Sequence, residues 1–271
     1  MGASEVKAVS YYGKLPIVLL SEMAAGREYS YNCRIAAWLL ARLGRRVSVD
    51  EIAGECFVSR SAVSRFCRDI GLEDFSELRE LMAASGKTFE RIGAELPPEA
   101  RGPALARRAA LSMEKAAASL DPGEVARLAG EIVRARRVAC FGLLKAEAAA
   151  LSLQSDLVML GRSAVTKVAF REQMEYLSAA GADDLILVFS YRGVYFDYDL
   201  PRGILRGAPR LWMITGSQDA EARLRALGIR AAGVIAFASD QDFASHPYQL
   251  LTAAGIIAQA VAAEMEKNAP E

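Results

Sequence analysis

The chain has few residues suited to binding a transition metal or to nucleophilic catalysis. Its 271 residues include one histidine, His246, and four scattered cysteines that never form a C-x-x-C pair. A structural zinc site needs about four clustered Cys or His ligands, and any Ser-His-Asp set would have to use the single imidazole. The sequence therefore predicts no metal and no cofactor. Unpaired cysteines are expected in a reducing compartment, here the cytoplasm.

Nucleotide-binding motifs and long apolar runs are also missing. No G-x-G-x-x-G follows the first apolar strand, and no P-loop lysine motif occurs, so dinucleotide or ATP binding is not expected. The apolar run at residues 15–20 (LPIVLL) is too short for a signal-peptide core, and no other run approaches the length of a membrane span. We expect no targeting signal and no membrane partner.

Charge of one sign is not in excess, because 33 Lys and Arg residues balance 33 Asp and Glu residues. Nothing in the net charge would attract a polyanion, so any affinity for DNA must come from locally placed arginines. A composition of 52% hydrophobic and 24% charged residues is that of a soluble globular protein. The length predicts about two domains.

Residues 48–78 (SVDEIAGECFVSRSAVSRFCRDIGLEDFSEL) have the pattern of two short helices joined by a tight turn, followed by a third helix. Ser48 and Glu51 have the spacing of a capping box, and Ser59 is suited to cap the second helix. Gly71 is placed to end that helix. An apolar stripe at i, i+3, i+4 and i+7 predicts that one side of the second helix is buried; its members are Val63, Phe66, Cys67 and Ile70.

The other side of this second helix is rich in arginine and serine. Arginine can bind guanine edges and phosphates, and small hydroxyl side chains allow close approach to a duplex. We therefore predict that the helix enters the major groove of DNA, where Arg68 contacts phosphate. The predicted DNA-binding residues are Ser59, Arg60, Ser61, Ser64, Arg65 and Arg68. The alternatives are an ordinary solvated helix face and a helical module that binds protein.

The segment from Val58-Ser59 to Leu72, followed by Phe75 and Leu78, resembles the "VS…RFCRKLGF..F.EL" signature of RpiR-type bacterial transcriptional regulators. In that family an N-terminal helix-turn-helix domain is joined to a C-terminal sugar isomerase (SIS) domain. The resemblance implies a regulator that binds a double-stranded DNA operator as a homodimer or homotetramer. It also implies that the C-terminal domain senses a phosphorylated sugar.

From about Arg137 onward, apolar strands alternate with helices, and this predicts a doubly wound parallel α/β domain. The fold class is thus an all-α helix-turn-helix domain followed by a doubly wound, SIS-like domain. We place the DNA-binding domain at residues 1–87 and the SIS-like domain at residues 104–271. The segment 88–103, rich in Pro, Gly and charge, is predicted to be the linker.

Ligands of such sheets bind at the carboxyl ends of the strands. The predicted ligand-binding residues are Gly142, Lys145, Ser190, Arg192, Gly193, Tyr195, Thr215 and Ser217. The SIS-family loops are only partly kept here. The first, which resembles Gly-x-Gly-x-Ser in the family, is GLLKA at residues 142–146. In the second, Ser-x-Ser-Gly-x-Thr, the second Ser and the Thr are replaced by Arg192 and Tyr195.

These replacements allow two interpretations of the second domain. In the first, Lys145 and Arg192 supply charge where hydroxyls are lost, and the site binds an anionic metabolite such as a sugar phosphate. In the second, Leu144, Arg192 and Tyr195 fill the pocket, and the domain serves only as a dimerisation scaffold.

Catalysis is not expected. Sugar isomerisation needs a base beside the substrate carbon, and Glu147 or Glu175 could lie near the pocket, but acids on helix faces are common. His246 is interpreted as a capping or packing residue. A sugar-phosphate isomerase-like enzyme with an accessory helical domain remains the alternative function.

Overall fold

The computed structural model describes residues 14–25, 30–85, 91–197, 204–242 and 244–268. The chain divides into two compact units, Met1–Glu90 and Arg91–Glu271, which are described separately below. Residues 88–90 of the predicted linker lie outside the described residues. Among the helices that the structure describes, none is long and apolar enough to cross a bilayer.

The described part of the first unit is entirely helical. Its helices are α1 (Lys14–Ala25), α2 (Tyr31–Ala41), α3 (Val49–Glu55), α4 (Arg60–Asp69) and α5 (Phe75–Ala84). Helix α1 packs against α2 and α5, while α4 packs against α2, α3 and α5. One core therefore holds all five helices, and its fully buried side chains include Leu19, Ile35, Leu39, Phe66 and Leu78.

The second unit is a parallel sheet covered by helices. Its helices are α6 (Pro98–Ser119), α7 (Pro122–Arg134), α8 (Lys145–Met159), α9 (Phe170–Ala179), α10 (Ala220–Ala226) and α11 (His246–Lys267). Its strands are β1 (Arg137–Gly142), β2 (Ala164–Val165), β3 (Asp184–Phe189), β4 (Arg210–Thr215) and β5 (Gly233–Ala236). All four pairings are parallel, in the order β2-β1-β3-β4-β5.

The sheet is buried on both faces, as predicted. On one face, alternate residues of β1 and β3, such as Cys140 and Leu187, share a core with α7, α8 and α11. On the other face, the ring of Phe141 meets the ring of Tyr176 in α9 at a centroid distance of 5.3 Å. Every residue of β3 is buried, which explains why the five residues that follow Asp184 are all apolar. The predicted doubly wound fold class is confirmed.

Helix α6 begins earlier than the sequence predicts, at Pro98 rather than at Ala104. Proline is tolerated at the first helical position, because the amide it lacks would have no intrahelical acceptor there. Pro103 lies inside the helix and removes one backbone hydrogen bond. Residues 98–103, which were assigned to the linker because they are rich in Pro and Gly, are therefore the first residues of α6.

An ion pair joins β1 and β3 at their amino ends. The Arg137 guanidinium donates to both carboxylate oxygens of Asp184, at 2.6 and 2.8 Å. The same carboxylate accepts from the Tyr176 hydroxyl at 3.2 Å and from the Gly181 amide at 2.7 Å. The hydrogen bonds from Arg137 hold the pKa of Asp184 below its ordinary value. This end of the sheet is closed by its own contacts, and the loops at the opposite end form the candidate ligand site.

Candidate nucleic-acid interface and candidate ligand site

The two helix starts predicted around α3 and α4 are confirmed. Ser48 and Glu51 form a complete capping box: the Glu51 amide donates to Ser48 Oγ at 3.2 Å, and the Ser48 amide donates to Glu51 Oε2 at 2.7 Å. Hydrogen bonds with Ser48 lower the pKa of Glu51. Ser59 caps α4 by accepting from the Ala62 amide at 3.1 Å. These caps fix where each helix begins, and therefore which residues of α4 face outward.

The turn between α3 and α4 contains a strained residue. Phe57 has a φ of 52°, in the left-handed region that favours glycine, and its side chain is 84% exposed. A left-handed conformation costs a residue with a Cβ about 1–2 kcal/mol. The Val58 amide donates to the Ala53 carbonyl at 3.0 Å across the turn. The packing of α3 on α4 holds this tight turn despite the unfavourable backbone angle.

The apolar side of α4 is buried as its periodicity predicts. Val63, Phe66 and Cys67 are fully buried, and Ile70 is almost so. Burial raises the pKa of the Cys67 thiol to about 11, so the thiol stays protonated and inert at neutral pH. This stripe anchors the helix and leaves its opposite side free to face a partner.

The arginine- and serine-rich side of α4 is exposed along its whole length. Its exposed residues are Ser59, Arg60, Ser61, Ser64, Arg65 and Arg68. The Arg60 Nε atom lies 2.5 Å from Asp50 Oδ1 in α3. Within the part of the chain that the structure describes, no ion pair joins Arg65 or Arg68 to an acid. The guanidiniums of Arg65 and Arg68 are thus available to an anionic partner, whereas that of Arg60 is in a solvent-exposed ion pair.

The hydroxyls of this face bond locally. The Ser59 and Ser61 Oγ atoms are 2.8 Å apart, and Ser64 Oγ donates to the Arg60 carbonyl at 3.3 Å. Both bonds are exposed to solvent, so a ligand can replace them at little cost. The face combines cations with small, adaptable hydroxyls, which is the chemistry that base edges and phosphates require.

The predicted ligand-binding residues converge at the carboxyl ends of β1, β3 and β4. The strand order reverses between β1 and β3, and this is the position where doubly wound sheets bind ligands. Gly142 ends β1, Ser190 follows β3, and Thr215 ends β4. The structure therefore brings together loops from three neighbouring strands.

In the loop after β1, Leu144 replaces the second glycine of the SIS-family pattern but has a backbone conformation typical of glycine. A Cβ at Gly142 would lie 2.6 Å from the Ala146 carbonyl oxygen, so only glycine fits beneath the start of α8. Leu144 has φ 56° and ψ −117°, a conformation that glycine adopts far more readily. Lys145 opens α8 and is half-buried. Burial lowers the pKa of its ammonium, and Asp242 partly opposes this effect.

The loop after β3 is tied into the protein by buried hydrogen bonds. The Tyr195 hydroxyl donates to Gln173 Oε1 at 2.6 Å. Gln173 Nε2 in turn donates to the carbonyls of Gly142 at 2.8 Å and Lys167 at 2.7 Å. The Tyr195 amide donates to Ser190 Oγ at 3.2 Å. Tyr195 is thus linked through Gln173 to Gly142 at the end of β1, while its bond with Ser190 holds the loop after β3 together.

The loop after β4 packs closely on the same region. Thr215 is fully buried, and its Oγ1 atom accepts from the Ser217 amide at 3.0 Å. Gly193 has a φ of +70°, and a Cβ there would lie 3.2 Å from the Cβ atom of Ser217. Gly193 therefore allows the second and third loops to approach each other.

His246 lies at this edge, which the sequence did not reveal. Its ring stacks on Tyr191 at 4.3 Å, with 13° between the planes. Burial, followed by the charges of Lys145 and Arg192, lowers the pKa of His246 to about 3. Its Nε2 atom is buried and has no hydrogen-bond partner. The imidazole is therefore neutral at physiological pH and lies within the electrostatic reach of two cations.

Two glutamates named in the sequence analysis differ in environment. Glu147 is half-buried in the first turn of α8, and burial raises its pKa. Glu175 is exposed and pairs with Arg171 at 2.7 Å.

The sequence analysis did not identify Gln173 as part of this site. A polar residue on the buried stripe formed by Phe170, Met174 and Leu177 is a signal that could have revealed it.

A groove of about 940 Å³ lies elsewhere on the second unit, between α6 and the loop that precedes α11. Ala104 and Leu111 contribute apolar walls, while Arg108 closes one side by donating from Nε and Nη2 to Asp242 Oδ2, at 3.2 and 2.9 Å. None of the predicted ligand-binding residues lines this groove.

Comparison with known proteins identifies the helical segment. Residues 31–87 match the helix-turn-helix domain of the rpiR family. The chain is 29% identical over 153 residues to the HTH-type transcriptional regulator HexR of Pseudomonas aeruginosa, a match that covers 55% of this chain and 54% of HexR. The chain therefore spans about half the length of that relative.

Two solved structures resemble the fold. The Vibrio vulnificus NanR protein, complexed with ManNAc-6P, is 16% identical with a TM-score of 0.53, over 93% of each chain. The sugar isomerase domain of the RpiR transcription factor from Sphaerobacter thermophilus is 18% identical with a TM-score of 0.48, over 60% of this chain and 90% of that one. The likeness to NanR shows a shared fold. The match to the family model shows that residues 31–87 belong to the helix-turn-helix domains of the rpiR family.

Proposed function

We propose that the chain is a sequence-specific DNA-binding transcriptional regulator. The observation that carries this proposal is the exposed arginine and serine face of α4, backed by a fully buried stripe within an rpiR-family helix-turn-helix segment. In such motifs the second helix lies in the major groove, and its N-terminal residues contact base edges. HexR is a transcriptional regulator by name, and this supports the same role here.

The proposed contacts follow from position along α4. Arg60, Ser61, Ser64 and Arg65 lie on the first two turns and would contact base edges or nearby phosphates. Arg68 lies one turn further and would contact phosphate. The ion pair between Arg60 and Asp50 would open or shift as a phosphate approaches, since an exposed pair contributes only about 0–1 kcal/mol.

We propose that the regulator acts as a homodimer or homotetramer in the cytoplasm. Two copies of α4 would then read half-sites separated by about 34 Å or a multiple of that distance. Formal net charge is zero, so binding relies on the local arginines of α4 and on exposed Arg45 and Arg46. The residue ranges 1–87 and 104–271 remain our proposal for the DNA-binding and ligand-sensing domains.

The second unit, in this proposal, senses a phosphorylated sugar or another anionic metabolite. Its sheet reverses strand order beside Lys145 and Arg192, and a NanR protein of the same fold was solved with ManNAc-6P. We propose no catalytic role, because the loops offer hydrogen-bonded side chains rather than a positioned base. The half-buried carboxyl of Glu147 is the feature that would favour isomerase activity. A coupled assay with hexose and pentose phosphates separates the two functions.

Operator binding by Arg65→Ala is the direct test. An operator is first selected from random DNA with the full chain, and affinity is then measured by fluorescence anisotropy. Loss of the Arg65 guanidinium should weaken specific binding by about 1–3 kcal/mol and relax preference at one base position. Arg225→Ala is the matched control, because Arg225 is an exposed arginine of the second unit, paired with Glu221. Equal affinities for wild type and Arg65→Ala would contradict the placement of α4.

A further inference from the structure

The turn between α3 and α4 exposes a large apolar ring beside the proposed DNA-contacting face. Phe57 is 84% exposed, a fraction that no other large hydrophobic side chain exceeds in the part of the chain that the structure describes. It precedes the Ser59 cap of α4 by two residues, so the two Cα atoms are at most about 7.6 Å apart. Phe57 therefore lies beside the N-terminal end of α4, the end that contacts base edges in helix-turn-helix motifs.

The backbone at Phe57 favours a residue without a side chain. The Phe57 amide donates to the Gly54 carbonyl at 3.3 Å, and the Val58 amide donates to the Ala53 carbonyl at 3.0 Å. This pair of bonds is that of a Schellman motif at the end of a helix, and Phe57 occupies its left-handed position, where glycine is the usual residue. Glycine would thus make the turn more stable than phenylalanine does.

Packing within the first unit does not account for the ring. Tyr31, which is 63% exposed, lies under the Arg34 guanidinium, with 5.3 Å between the Cζ atom and the ring centroid. Among the described residues, no cation and no second ring lies against Phe57 in this way. A strained residue that neither the turn nor the core requires points to a contact with another molecule.

The surroundings of the ring favour DNA over a protein as that molecule. Ser59, Arg60 and Ser61 follow Phe57 closely in the chain, and all three are polar and exposed. The centre of a protein–protein interface is depleted of charged residues, whereas a DNA interface is rich in cations and hydrogen-bonding groups. A single apolar ring at the edge of a cationic face therefore fits a groove of DNA better than the surface of a protein.

We propose that the Phe57 ring contacts the 5-methyl group of a thymine in the major groove of the operator. An apolar side chain against this methyl group is one of the ways in which proteins distinguish thymine, since adenine, guanine and cytosine present only hydrogen-bonding groups at that edge. The inference rests on the DNA-binding half of the proposed function. It adds a specificity-determining residue that lies outside α4 and recognises a group that the cations and hydroxyls of α4 do not.

Deletion of single methyl groups from the operator tests this contact. The operator is selected from random DNA with the full chain, and each thymine is then replaced in turn by deoxyuridine, which lacks only the 5-methyl group. Fluorescence anisotropy should show that wild type binds at least one of these operators about fourfold more weakly, as expected for the loss of one buried methyl group. In Phe57→Ala the same replacement should have no effect, because the ring that contacts the methyl group is absent.

A second variant separates the contact from an effect on folding. Phe57→Gly also removes the ring, and glycine accepts the left-handed φ, so this variant should fold at least as well as wild type. Both variants should bind the unmodified operator at least about fourfold more weakly, and bind a duplex without the operator as wild type does. Tyr31→Ala is the matched control, because it removes an exposed aromatic ring of the same unit and should leave the effect of methyl deletion unchanged.

Several results would overturn the inference. A wild type that tolerates deoxyuridine at every thymine would do so, as would an equal effect of methyl deletion in wild type and Phe57→Ala. Wild-type operator affinity in Phe57→Gly would attribute any loss in Phe57→Ala to the turn rather than to the ring. Loss of the methyl effect in Tyr31→Ala would show that it does not depend on Phe57 specifically.

The DNA-binding proposal is tested separately by Arg65→Ala. If Arg65→Ala weakens operator binding while methyl deletion has no effect on wild type, the inference fails and the DNA-binding proposal stands. A full chain that selects no operator from random DNA would overturn both.

Discussion

The exposed face of α4 and the carboxyl edge of the sheet present their candidate contact residues in opposite ways. On α4, the predicted DNA-binding side chains point outward, and separate residues such as Phe66 hold the helix in place. At the sheet edge, predicted ligand-binding residues such as Tyr195 are buried and bond to the protein itself. On α4, therefore, one set of residues would contact the ligand and another set stabilises the fold. At the sheet edge, the same residues would do both.

The largest expected effect is on the buried side of α4. Phe66→Ala removes a fully buried ring and should destabilise the first unit by about 3–5 kcal/mol. Urea unfolding followed by tryptophan fluorescence is suited to this test, because Trp38 lies in the first unit and Trp212 in the second. An unchanged unfolding midpoint for the transition reported by Trp38 would contradict the division of roles on α4.

A second prediction concerns pH and His246. The folded-state pKa is about 3 and the unfolded value about 6.5, so between these values only the unfolded chain takes up the proton. Stability should therefore be full above pH 6.5 and fall on acidification, by about 2–3 kcal/mol between pH 6.5 and 4.5. Urea unfolding at several pH values, for wild type and His246→Phe, measures this contribution. The same pH dependence in both proteins would show that His246 is not buried in its neutral form.

Tyr195→Phe tests the shared role at the sheet edge. Removing the hydroxyl leaves Gln173 Oε1 without its 2.6 Å bond and should destabilise the second unit by about 1–3 kcal/mol. Ser64→Ala is the matched change on α4, where loss of an exposed hydroxyl should alter stability by no more than about 0.5 kcal/mol. Equal effects of the two substitutions, measured by urea unfolding, would remove the contrast between the regions.

The smallest expected effect has the opposite sign. Phe57→Gly should stabilise the first unit by about 0.5–1 kcal/mol, because glycine accepts the left-handed φ and the exposed ring has little packing to lose. Phe57→Ala keeps the strained backbone and serves as the control, with a smaller change. Thermal unfolding measures both, and a destabilised Phe57→Gly would mean that the ring makes contacts that stabilise the turn.

The same contrast explains what the sequence could predict. Caps at Ser48 and Ser59, and the stripe through Phe66, depend on residues within one or two helical turns, and both predictions are confirmed. The doubly wound fold was predictable because β3 is apolar at the five positions that follow Asp184. The bonding of Gln173 and the place of His246 depend on loops far apart in the chain, and no local period encodes them.

The most direct test of the central claim is the salt dependence of operator binding by the full chain. The logarithm of the association constant should fall linearly with the logarithm of salt concentration, because bound phosphates release counterions. Arg68→Ala, at a proposed phosphate contact, should make that slope shallower by about 1 while leaving base preference unchanged. A slope identical in wild type and Arg68→Ala, or binding that is insensitive to salt, would contradict the assignment of the exposed face of α4 to DNA.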